Sequence, residues 1–107
     1  MNYSYPEKLE IGGLTYRVQL FDSYVLERVG ETAGYHLNEN GELQVATRTK
    51  EGGYRPINLI NEIAWHEVLH AISHEYGAGL KECQVEQVAK GLNQVCKQLG
   101  FDIVKEE

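Results

Sequence analysis

INLINEIAWHEVLHAISHEY, residues 57–76, is the stretch on which the fold turns. It follows Pro56, contains no glycine or proline, and stops at Gly77-Ala78-Gly79, so it reads as a helix punctuated at both ends. Its apolar residues (Ile57, Ile60, Ala64, Trp65, Val68, Leu69, Ala71, Ile72) cover well over half the circumference, the pattern of a largely buried helix. In the middle stands His66-Glu67-Val68-Leu69-His70. Side chains four apart on a helix are about 5–6 Å apart at Cβ, so both imidazoles can reach one tetrahedral ion at about 2.0–2.1 Å. Glu67 lies about 100° further round, placed to touch a water held at that point without being a ligand itself. In a glutamate-rich chain the pentapeptide alone is a modest signal. Its setting strengthens it, because histidine and glutamate on a buried helix need partners. One metal ion serves both histidines, and that reading is preferred over satisfied core histidines.

Downstream, residues 80–99 form a second expected helix. Val85, Val88, Ala89, Leu92, Val95, Cys96 and Leu99 recur every three or four residues, Gly91 weakens it locally, and Gly100 ends it. Phe101-Asp102-Ile103-Val104 is a tail able to pack back. The two helices make an αα-hairpin around residues 76–79. With the turn centred near Gly77 and Ala78, His70 and Glu86 both stand roughly 12 Å from it, counting 1.5 Å per residue. Glu82 is only about 7 Å out by the same count. Height therefore favours Glu86 as a third ligand, with Glu82 as the fallback. His66 and His74 are separated by about 12 Å along the axis, too far to share an ion, so His74 is read as a rim residue. His36 is read as an ordinary strand histidine.

Upstream lie strands. Lys8–Ile11 and Leu14–Phe21 flank Gly12-Gly13, a hairpin signal. Leu14, Tyr16, Val18 and Leu20 share one face of the second run. Asp22 to Val29 is ambiguous between a short helix and an extended link. Gly34–Leu37 and Glu42–Arg48 are strands joined through Asn38-Glu39-Asn40-Gly41, where Asn-Gly marks a tight turn. Thr49 to Tyr54 reads as a loop. The expected fold is α+β: one domain over residues 1–107, a small antiparallel sheet from the N-terminal half packed on a two-helix C-terminal hairpin.

Composition narrows the function. The chain has 107 residues, 42% hydrophobic and 24% charged, with a net charge of −6. It has no basic cluster to neutralise phosphates, so a nucleic-acid partner is not expected. No apolar run approaches the roughly 20 residues of a membrane span, and the N-terminus lacks the basic and apolar regions of a secretory signal. Cys83 and Cys96, on one helix, would stand roughly 20 Å apart, far beyond disulfide reach. Free thiols fit a reducing compartment, and a cytoplasmic location is expected.

His66-Glu67-x-x-His70 followed by Glu86 on the next helix resembles the gluzincin branch of the zincin-like metallopeptidases. More closely, residues 66–74 with residues 85–92 are similar to small predicted metallopeptidases of bacteriophages and prophages. The likeness covers about residues 57–99 and is specific in the two helices alone. It implies a zincin-like minimal fold, Zn²⁺ as cofactor, His66, His70 and Glu86 as ligands, Glu67 as general base, and a peptide or protein as substrate. Lys90 stands where thermolysin-like sequences carry an aspartate that accepts a hydrogen bond from a ligand histidine; lysine cannot accept one, and Asn93 is the nearest substitute. Substrate is expected to add along an exposed edge strand, with Glu42–Arg48 the candidate. Tyr35, Tyr54 and Tyr76 are chemically suited to stabilise an oxyanion. Two other readings stand beside the peptidase: a zinc-stabilised binding module without turnover, and a metal-free interaction protein with a chance motif.

Overall fold

The computed structural model describes residues 2–26, 33–37 and 41–107, with the backbone alone for residues 35–37. In chain order the elements are β1 (Tyr3–Ser4), β2 (Lys8–Ile11), β3 (Leu14–Phe21), β4 (Gly34–Leu37), β5 (Glu42–Ala46), α1 (Ile57–Tyr76), α2 (Glu82–Gln98) and β6 (Lys105–Glu106). The fold is α+β, as its two regimes of hydrophobic periodicity require. Residues 27–29 of the ambiguous link, Asn38-Glu39-Asn40 of the turn, and the Tyr35 and His36 side chains lie outside the described residues.

α1 occupies the limits its punctuation sets, and it is apolar nearly all round because it is packed on two sides. Val68 and Ala71 join Ile11, Tyr16, Val18 and Leu43 of the sheet, while Ile60 and Ala64 join Val45 and Val104. On its other side Leu69 packs with Val85 and Ala89 of α2. Each fully buried Val or Ile contributes about 1.5–3 kcal/mol, so these clusters fix α1 against both layers. The tail returns as expected: Val104 is fully buried, and Asn61 of α1 clamps it, accepting from the Val104 N–H and donating to its carbonyl, 2.8 Å each.

The sheet departs from expectation. Its order is β2-β3-β5-β4, with β3 and β5 parallel and the other two pairs antiparallel. It is mixed rather than antiparallel. β5 is interior, not the exposed edge assigned to Glu42–Arg48; the edges are β2 and β4. Gly41 explains the choice. It has a φ of 60° at the start of β5, and a Cβ there would collide with the Thr15 carbonyl oxygen. Only glycine lets β5 enter this close to β3, where the Arg17 N–H donates to the Gly41 carbonyl at 2.6 Å. A separate two-stranded ladder, β1 with β6, ties the chain ends together.

Tyr16 fastens the β2–β3 hairpin to the end of α1. Its side chain has no solvent exposure and its hydroxyl donates to Glu75 Oε2 at 2.8 Å. Burial, then that hydrogen bond and the nearby carboxylate charge, push the phenol up to about 12 from 10.0. Ionisation is thus harder in the folded chain than in the unfolded one. The stability this represents is complete below pH 10 and is lost as pH rises toward 12, about 2–3 kcal/mol in all. Melting curves between pH 9 and about 12 should show a steep loss in the native chain and a shallower one in Tyr16→Phe; equal slopes would contradict the assignment.

Candidate metal centre

Helix α1 presents His66 and His70 one turn apart on the side facing the start of α2. Their Nε2 atoms are 3.1 Å apart. Glu82, the first residue of α2, bridges them: Oε1 lies 2.7 Å from His66 Nε2 and Oε2 lies 2.8 Å from His70 Nε2. These separations approach the roughly 3.3 Å edges of a tetrahedron with 2.0–2.1 Å metal–ligand bonds. One ligand atom from each of the three residues can be chosen with all of them within 4.8 Å of one another. Two imidazoles and a carboxylate are the donor set of a three-ligand zinc site with one open position.

Glu82, not Glu86, is therefore the carboxylate in contact with both imidazoles. Glu86 lines the same cleft, but its carboxylate lies 3.4 Å from Lys90 Nζ, one turn along α2. The connection between the helices accounts for the difference. Counting 1.5 Å per residue from Gly77 assumes a helix that starts at the turn, whereas α2 begins only at Glu82 and Lys81 is extended, with ψ of 157°. The Leu80 N–H donates to Ser73 Oγ at 2.9 Å, so the link has already run back along α1 before α2 starts. Extended chain covers about twice the distance per residue, which moves the earlier glutamate up to the histidines.

Glu67 is 7% exposed and lines a cleft of about 320 Å³ with Gly34, Glu62, Ile63, His66, Glu82 and Glu86. One wall is α1; the other includes the first residue of edge strand β4. Sequence reasoning missed Gly34. A Cβ at this position would lie 2.6 Å from Glu67 Oε2 and 2.8 Å from Ile63 Cγ2, so a larger residue would have to push those side-chain ends aside or lift β4 off α1. A lone glycine heading a strand, the usual mark of close backbone approach, was the available signal.

His74 is exposed near the end of α1, outside the three-residue group. Asn93 is buried but donates to the Asn58 carbonyl and side chain at 3.1 and 3.2 Å, so it is engaged away from the histidines. Tyr54 belongs to another cleft with Tyr3 and Tyr5, its ring 3.9 Å beneath the Arg48 guanidinium. Tyr76 is 69% exposed, and among the described residues no tyrosine lines the cleft at Glu67. Both cysteines are free thiols.

Compared with protein-family models, curated proteins and solved structures, the chain matches none. Among the described residues, no helix is long and apolar enough to cross a membrane.

Proposed function

We propose that this chain is a zinc-dependent peptidase, with His66, His70 and Glu82 as ligands and Glu67 as general base. The observation that carries the reading is the Glu82 carboxylate spanning two imidazole nitrogens 3.1 Å apart, beside a buried glutamate that opens onto the same cleft.

Zinc held at these three side chains supplies an electrophilic centre that acidifies water and polarises a carbonyl. The chain supplies the rest. Glu67 takes the proton as the water O–H bond breaks and the oxygen adds to the peptide carbonyl carbon. It delivers that proton to the amide nitrogen as the C–N bond breaks, so the products are a carboxylate and an amine. β4 is the edge strand beside the cleft, where an extended peptide can add by main-chain hydrogen bonds. This role passes to β4 from β5, whose two sides are already paired.

Two measurements test the proposal together. Protein purified without a metal-chelate column should contain about one zinc per chain, and it should cleave an unfolded protein such as casein in a chelator-sensitive way. Absence of stoichiometric zinc rejects the centre. Zinc without turnover across a broad peptide library favours the binding-module reading, which draws support from Lys90: it pairs with Glu86 and cannot accept a hydrogen bond from an imidazole.

Gly34 offers a finer check. Gly34→Ala should lower turnover at least about tenfold by displacing Glu67 or lifting β4, since misplacing a catalytic group by about 1 Å can cost on the order of 100-fold. Zinc content should stay at one per chain. Unchanged turnover would show that the close approach of β4 does not position the base.

A further inference from the structure

The cleft beside the imidazole pair holds more acid than the metal group can use. Half of its lining residues are glutamates (Glu62, Glu67, Glu82 and Glu86), and among the described residues no lysine or arginine lines it. Their placement is ordered. From the interhelical turn outward, α1 carries His70, His66 and Glu62 at one-turn intervals, and α2 carries Glu82 and then Glu86. Hydrogen bonds from Leu80 to Ser73 and from Asn93 to Asn58 set the helices antiparallel. Glu62 and Glu86 therefore both lie on the side of the ligand group away from the turn. A doubly charged ion at His66, His70 and Glu82 offsets Glu82 and Glu67 and leaves those two over. Lys90 answers Glu86 at 3.4 Å, in an exposed pair. Half-buried Glu62 makes no ion pair or hydrogen bond among the described residues. Ile63 and Ala33 give the same space an apolar wall.

We infer that this cleft selects peptides with a lysine or arginine within about two residues of the bond that is cut, and that Glu62 is the residue that reads the charge. The cut rests on the peptidase reading; the selection rests on the cleft itself. Glu62 stands four residues before His66 on α1, about 5–6 Å away at Cβ. An extended peptide advances about 3.3 Å per residue. A peptide whose carbonyl meets the ligand group thus brings a side chain to Glu62 about two residues along. Lysine and arginine suit both surfaces there, the methylene stem lying along Ile63 and Ala33 and the charged head reaching the carboxylate. A cleft lined by one sign of charge also gathers the opposite sign from solution. An acidic side chain at the same place meets like charge and is rejected. The Lys90 ammonium on Glu86 shows the pairing that a substrate cation makes with Glu62.

Peptides identical except for lysine, arginine, norleucine or glutamate at one scanned position test this by two readouts. One is kcat/KM with the native, zinc-loaded chain; the other is binding to Glu67→Gln by fluorescence anisotropy. The basic peptides should be cut and bound at least about fivefold better than the norleucine ones, the upper end for a part-exposed ion pair, with the glutamate peptides poorest. The difference should shrink as salt rises to about 1 M. Glu62→Gln should bring the basic-to-neutral ratio close to one at unchanged zinc content, and Glu62→Lys should invert it; if the lysine variant fails to fold, the glutamine variant decides. Equal cutting and binding of all the peptides overturns the selection and leaves the peptidase standing. No cutting, with the same order in binding, rejects the peptidase and keeps the selection. Neither cutting nor binding rejects both. A preference that survives in Glu62→Gln overturns the assignment to Glu62.

Discussion

Glu67→Gln is expected to lower peptide hydrolysis by about 10²–10⁴-fold while leaving one zinc per chain, the contribution of a positioned general base. Glutamine matches glutamate in shape and keeps a carbonyl acceptor, so the 7% exposed side chain should be accommodated in place. What it loses is the capacity to take a proton from water. Because Glu67 is outside the His66, His70 and Glu82 group, zinc content should not follow activity. Paired measurements of turnover and metal content in native and variant protein test this. Native-like activity in Glu67→Gln would remove the base from the mechanism, and loss of zinc would make Glu67 a ligand instead.

The second large effect separates two glutamates one helical turn apart. Glu82→Ala should weaken zinc binding on the order of 100-fold or more, since it removes one of three protein ligands from an ion whose apparent binding free energy in tight sites is about 10–16 kcal/mol. It also takes away the carboxylate that meets both imidazoles at 2.7 and 2.8 Å. Glu86→Ala deletes a pair with Lys90 in which both side chains are 56% exposed. Exposed pairs of this kind are worth about 0–1 kcal/mol, so folding should barely change and zinc affinity should stay within about threefold. Competition titrations with a chromogenic zinc chelator resolve such differences. If Glu86→Ala loses the metal and Glu82→Ala keeps it, the centre is assembled differently in solution.

These two glutamates also show where sequence reading reached its limit. The limits of α1, the β2–β3 hairpin, the amphipathic α2 and the pairing of the two helices were all legible, because each depends on local periodicity and on Gly or Pro punctuation. Choosing Glu86 over Glu82 required the path of residues 77–81, and that path is set by a hydrogen bond from Leu80 to Ser73 and not by a pattern. The parallel β3–β5 pair was hidden for a similar reason. An Asn-Gly turn fixes which strands are neighbours in a hairpin, but not which of them lies beside a third; the close approach of Gly41 to Thr15 decides that. The ladder joining Tyr3 to Glu106 spans nearly the whole chain with two-residue strands, too short to carry periodicity. His66, Glu67 and His70 were legible because a single helix carries them. Gly34 showed only as a glycine heading a strand; what it lies against, Glu67 and Ile63, belongs to another layer of the fold.

The proposed centre requires that one ion be held jointly by α1 and α2. An anomalous difference map at the zinc edge, from crystals of zinc-loaded protein, would locate that ion. A single peak is expected about 2.0–2.1 Å from His66 Nε2, His70 Nε2 and a Glu82 oxygen. A map with no peak between the imidazoles, or with zinc bound there while Glu82 turns to solvent, would contradict it.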